Sequence, residues 1–218
     1  RTGAEVRFGQ QISRLGTVTT GLVVEQVETH ERDEVDNRFG LRVFKIESLV
    51  ETFNRIPFPE SGKKHLFELK FAGKYFGGEV EYTRFYSSLE AYWPIGEHLN
   101  YHPRLAVGLS RSCLPVTEKF YLGGMRSFAG FRTHQLAGDK VIAMSHEMRL
   151  KLPLRFYLSL CYHTGEVYSS ADHIKFSGLR HGLGVIAALD SPIGPIEFGY
   201  GTANNDFERY YINVGLYF

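Results

Sequence analysis

Ser145 and His146 stand side by side, and they are the closest the chain comes to a nucleophile beside its base. A hydroxyl becomes a nucleophile when a base within hydrogen-bond reach takes its proton. The pair lies in KVIAMSHEMRLKL, residues 140–152, where apolar residues recur at every second position. Adjacent side chains on a strand point to opposite faces, so these two would not meet. No G-x-S-x-G elbow occurs, and the nine histidines show no H-x-H or H-E-x-x-H spacing. We therefore expect no catalytic, cofactor-binding or metal-ligating residue, and no cofactor. Cys113 and Cys161 lie far apart in unrelated contexts and read as packed or lumenal thiols.

The residues that do stand out bind rather than react. FYLGGMRSFAGF, residues 120–131, packs Gly123, Gly124 and Gly130 together with Phe120, Tyr121, Phe128 and Phe131. Glycines allow tight turns and close backbone approach. Left in water, the aromatics would form a large exposed apolar surface. Something must cover them, and the elements around this segment have to supply the cover.

Those elements read as strands. In YYINVGLYF, Tyr210, Ile212, Val214, Leu216 and Phe218 alternate with Tyr211, Asn213, Gly215 and Tyr217. PIEFGYG, LRHGLGVIAAL, RFYLSLCYHTG and KVIAMSHEMRLKL show the same period of two. Upstream, strands are expected at about 4–14, 17–29, 40–53, 64–76, 79–93 and 99–112, which makes eleven. No helical period runs beyond one turn. Lys+Arg number 25 and Asp+Glu 24, so no basic face for nucleic acid is expected.

Alternation fits a soluble β-sandwich and a membrane barrel alike. Long strands with charged and glycine-rich faces favour an all-β transmembrane antiparallel β-barrel over 1–218, with a lipid bilayer around it. A tilted membrane strand needs roughly 9–11 residues. Tyr92, Trp93, Phe156 and Tyr157, at strand ends, would form an aromatic girdle. The chain opens on Arg1 and reads as the C-terminal part of something longer.

Several motifs together resemble the BamA/TamA superfamily of outer-membrane assembly and translocation barrels over roughly residues 55–218. FPESG (58–62) looks like its FPT-x-G turn, and FYLGGMRSFAGF like its F-x-x-GG-x-x-S-[VL]-R-G-[FY] loop. HEMRLKL carries the E-x-R pair, and LSLCYHTGEVY stands at F-x-D-x-G-x-V. LRHGLGVIAALDSPIGPIEFGYG is similar to the SPxGP hairpin, and the terminal alternation to the assembly signal.

The resemblance implies a bacterial outer-membrane location and a complete barrel of sixteen strands, of which eleven or twelve are visible here. It also implies an extracellular loop at 114–139 folded into the lumen, with Gly123, Gly124, Phe128, Ala129, Gly130 and Phe131 as its motif. Glu147, Arg149 and His163 would stand on the lumen wall. Tyr210, Ile212, Val214, Leu216 and Phe218 would be the assembly signal, read by the outer-membrane assembly machinery. The implied role is to anchor or translocate an N-terminal passenger, a patatin-type lipase first among them. A general insertase or polypeptide translocase is the alternative, and a homodimer is left open.

Two positions depart from the pattern. The family's loop arginine falls at Ala129 and its acidic wall partner at His163. We therefore expect aromatic packing to hold the loop, with Glu147 and Arg149 left to pair with each other or with Arg126 or Arg132. His163 is a candidate neutral hydrogen-bonding partner.

Overall fold

The computed structural model describes residues 2–12, 16–29, 37–204 and 207–215. Eleven long strands form one antiparallel sheet. They are β1 (Thr2–Ile12), β2 (Gly16–Thr29), β3 (Asn37–Glu51), β4 (Gly62–Ala72), β5 (Tyr82–Ile95), β6 (Leu99–Ser110), β9 (Lys140–Lys151), β10 (Phe156–Tyr168), β11 (Arg180–Ser191), β12 (Gly194–Ala203) and β13 (Phe207–Val214). Two short strands, β7 (Phe120–Leu122) and β8 (Leu136–Gly138), pair apart from that sheet. Each long strand pairs with the next, and β6 meets β9 across the inserted segment. A single sheet replaces the two layers that a sandwich would need. The expected boundaries hold to within a few residues except around 73–81. There β4 ends at Ala72 and β5 waits until Tyr82, with Gly77 in the left-handed region at φ 77°.

Burial alternates most cleanly along β10, β11 and β12, because their two faces meet different surroundings. Outward lie Phe8, Leu160, Phe198 and Ile212, at 74%, 57%, 56% and 74% exposed. Inward lie paired charges, among them Lys45 with Glu68 at 3.1 Å and Arg149 with Glu147 at 2.9 Å. The sheet curls around the inserted segment. Val27 and Leu41 on β2 and β3 share one core with Ala203 on β12, and Phe120, Leu122, Phe128 and Phe131 lie between them. The apolar core thus sits inside the curl, while the apolar outer face has no protein cover among the described residues.

The girdle needs a correction. Trp93 and Phe156 face out, at 49% and 44% exposed, but Tyr92 and Tyr157 turn in. Tyr92 stacks on His102 at 3.8 Å between ring centroids, and Tyr157 on Phe58 at 4.3 Å. Adjacent residues on a strand cannot share a face, so only one of each pair could belong to an outer belt. Of the two thiols, Cys161 is buried and Cys113 is exposed.

The face assignment makes a depth-dependent prediction. Leu160 lies mid-strand, whereas Leu154, 84% exposed, lies in the turn between β9 and β10. Leu160→Arg is expected to cost about 2–4 kcal/mol in lipid and Leu154→Arg about 0–1 kcal/mol. Urea titration of the folded protein in vesicles measures both. Equal costs at the two sites would contradict the membrane-facing assignment.

Candidate functional site

The segment between β6 and β9, residues 111–139, crosses the inner face. β7 and β8 form its stem, with Phe120 opposite Gly138 and Leu122 opposite Leu136. Its ends are tied by Asp139, whose carboxylate accepts from Leu114 N at 2.9 Å and Ser170 N at 3.0 Å. At the tip, Phe128 N donates to Gly124 O at 2.9 Å, and Gly124 N donates to Phe131 O at 3.1 Å. Gly123 and Gly124 take φ of 126° and 104°, a region costly for residues with a Cβ.

The tip lies directly on backbone. A Cβ at Gly182 would come 2.6 Å from Ala129 O, and one at Gly184 2.8 Å from the Ala129 Cβ. One at Gly201 would come 2.7 Å from that same Cβ. Side chains at those wall positions would lift the tip off the sheet. Ala129 is 1% exposed and Phe128 and Phe131 are fully buried. Phe131 also meets Phe207 at 5.1 Å between ring centroids.

Polar groups complete the seat. Tyr211, facing in from β13, accepts from Gly130 N at 2.9 Å and donates to Phe131 O at 2.7 Å. Arg126 forms an ion pair with Glu197 of β12, and its guanidinium also lies 3.8 Å from Glu147. Glu197, 1% exposed, accepts a further bond from Asn213 at 3.2 Å. Glu147 takes Ser159 Oγ at 2.7 Å, Arg149 Nε at 3.0 Å and His102 Nδ1 at 3.0 Å. At the other end of the segment, Lys70 binds the Glu118 carboxylate at 2.8 Å, and Arg84 Nε binds the Glu118 carbonyl at 2.9 Å.

The expected loop-motif residues therefore come together, and so do Glu147 and Arg149. Aromatic packing alone does not hold the segment, because Arg126 supplies an ion pair in another place. His163 is 2% exposed, 5.9 Å from the Phe128 ring, and neither ring nitrogen has a hydrogen-bond partner among the described residues. The hydrogen-bonding role considered for it is thus not filled. Ser145 faces in and lines a cavity, while His146 faces out and meets the Tyr101 hydroxyl at 2.5 Å. Tyr210, Ile212 and Val214 face out at 81%, 74% and 61% exposed, whereas Leu216 and Phe218 lie outside the described residues.

The sequence reading did not single out Glu197 or Tyr211. One signal was available. Glu197 is the lone acid on a face otherwise made of Gly199 and Gly201, and a lone buried charge demands a partner.

The Omp85 superfamily domain matches residues 1–218, the whole chain. The chain belongs to the Omp85 superfamily. It is an outer-membrane β-barrel of that superfamily. The outer membrane protein assembly factor BamA of Nitratidesulfovibrio vulgaris is 21% identical over 225 residues, covering 91% of this chain and 28% of that protein. Among solved structures, BamA from Haemophilus ducreyi lacking POTRA domains 1–3 gives a TM-score of 0.77 at 15% identity. That match covers 97% of this chain and 52% of the other. CdiB from Acinetobacter baumannii gives 0.68 at 13% identity, over 92% of this chain and 38% of the other. At such identities the structures speak for the fold. The chain spans about half or less of each of these three proteins.

Arg126 and Glu197 make a testable pair in this Omp85 barrel. Removing one partner of a buried ion pair costs about 3–5 kcal/mol. Arg126→Gln and Glu197→Gln should each destabilise the seated segment, and the double variant should recover part of the loss. The coupling energy expected for contacting residues is about 0.5–3 kcal/mol. Additive losses would mean that the pair does not form. His163→Phe removes buried nitrogens that have no partner, so it should be neutral or stabilising in the same titration. A loss above about 1 kcal/mol would reveal a hydrogen bond to His163.

Proposed function

We propose that this barrel serves in inserting polypeptides into the outer membrane or moving them across it. The observation that carries the reading is the superfamily match over the whole chain. The seated segment supports it. In this reading residues 1–218 act as one barrel module, and 114–139 is an extracellular loop folded into the lumen. Its tip rests on the inner wall through Tyr211 and Arg126, so it narrows the route that a polypeptide would take. The wall around it offers paired charges and hydroxyls, chemistry suited to passing contacts with a chain. The proposed partners are the lipid bilayer and a polypeptide client. The outer-membrane assembly machinery would read Tyr210, Ile212, Val214, Leu216 and Phe218, the alternating row of the terminal sequence.

Anchoring a patatin-type passenger was the expectation placed first from the resemblance. The relative reported above is named for assembly, and that puts polypeptide insertion ahead.

Full-length protein in lipid vesicles should speed the folding of an unfolded outer-membrane barrel client, relative to empty vesicles. Equal rates would count against the insertase reading. Deleting Phe218 should lower the amount of folded protein in the outer membrane. An unchanged amount would remove the terminal row from the assembly signal.

A further inference from the structure

Cations on the inner face mostly face carboxylates. Lys45 meets Glu68 at 3.1 Å, Lys70 meets Glu118 at 2.8 Å, and Arg180 meets Glu166 at 2.7 Å. One place departs from this. A cavity of about 260 Å³ lies between the inserted segment and the wall of β5, β6 and β9. Arg84, Arg104, Lys119, Ser127, His134 and Ser145 line it, and no carboxylate is among its described lining residues. Arg104, Ser127 and His134 also line a second cavity of about 630 Å³, again without a carboxylate among the described lining residues.

Arg104 and Lys119 make no hydrogen bond and no ion pair among the described residues. The acid nearest in register to Arg104 is Glu90, its cross-strand partner. Glu90 is turned instead to His102 Nε2 at 3.1 Å. On the other side Arg104 pairs in register with Ser145, so a guanidinium and a hydroxyl stand together on adjacent strands. Arg84 already holds Glu68 and the Glu118 carbonyl through Nη1 and Nε, and its Nη2 has no bond among the described residues.

Half-buried cations with no carboxylate bonded to them are costly, and an anion entering the cavity would relieve the cost. A guanidinium fork suits an oxyanion, an ammonium adds a point charge, and hydroxyls donate to remaining lone pairs. Two cations with no bonded carboxylate favour a doubly charged anion. A phosphoryl group carries about −1.5 to −2 near neutral pH, whereas a carboxylate carries only one charge. The cavity is larger than the phosphoryl group alone, and Leu122 and Val141 on its border could meet an attached carbon skeleton.

We propose that this cavity is a binding site for a phosphoryl anion, held by Arg104 and Lys119 with Ser127 and Ser145 as donors. The site goes beyond the polypeptide-handling role proposed above and does not depend on it. Calorimetric titration of the full-length protein in detergent at low salt tests it, with inorganic phosphate and glycerol 3-phosphate as separate probes. Saturable binding of either probe is expected. Tighter binding of the ester would identify the source as a phosphate monoester, and equal or weaker binding would identify free phosphate. Arg104→Gln and Lys119→Gln should each weaken binding roughly ten-fold or more, as loss of a hydrogen bond to a charged group implies. Arg132→Gln removes an exposed charge outside the cavity lining and should leave binding unchanged. Lys119 lies outside the long strands, so its variant keeps the test open if Arg104→Gln fails to fold. No binding by the native protein, or equal losses in Arg132→Gln and the cavity variants, would overturn the proposal.

Discussion

The inserted segment can lie on the barrel wall only because β11 and β12 offer bare backbone where it arrives. Gly182, Gly184 and Gly201 leave a floor one side chain deep, and Ala129 fills it. Much else follows from that close approach. Gly130 comes within reach of Tyr211, which fixes both its amide and the next carbonyl. Phe128 and Phe131 drop into a core shared by strands from both ends of the sheet. The curl of the sheet and the seat of the segment are therefore one packing problem. Neither would be stable with the other's surface left open.

The same approach relocates the charge. The family resemblance placed a loop arginine at 129, where this chain has an alanine pressed between Gly184 and Gly201. The cation appears three residues earlier, at Arg126, and finds Glu197 and Glu147 instead. Position 163, where the resemblance placed the acid, holds a histidine behind Phe128 with no hydrogen bond among the described residues. The two departures are consistent with each other, since a lone charge at either place would lack its partner. An ion pair between the segment and the wall is thus present here, at Arg126 and Glu197 rather than at the positions that the motif implies.

The strands were legible because a period of two is written locally, residue by residue. Exposure of Phe198, Ile212 and Val214 follows the alternation read from PIEFGYG and YYINVGLYF. The site was less legible. Arg126 and Glu197 lie 71 positions apart, and only the register of β12 on β11 brings Glu197 beneath the loop. Asp139 ties Leu114 to Ser170, contacts that no local pattern marks. The girdle failed for a simpler reason. Tyr92 and Trp93 are alike in type and adjacent in sequence, but strand geometry sends neighbours to opposite faces. Glycine on alternating positions marks a crowded interior, but nothing local distinguishes Gly182, Gly184 and Gly201, which carry the loop, from the other glycines.

The central claim is that backbone contact with β11 and β12 holds the tip of the segment. Hydrogen exchange at the Gly130 amide tests it most directly, in the full-length protein folded in lipid. The native amide, bonded to Tyr211 and closed in by Ala203, should be strongly protected. Gly201→Val would push a side chain into Ala129 and the Gly130 nitrogen, 2.7 and 2.8 Å from the new Cβ. Protection at Gly130 should then collapse while amides within β10 keep theirs. Undiminished protection at Gly130 in the Gly201→Val protein would contradict the account.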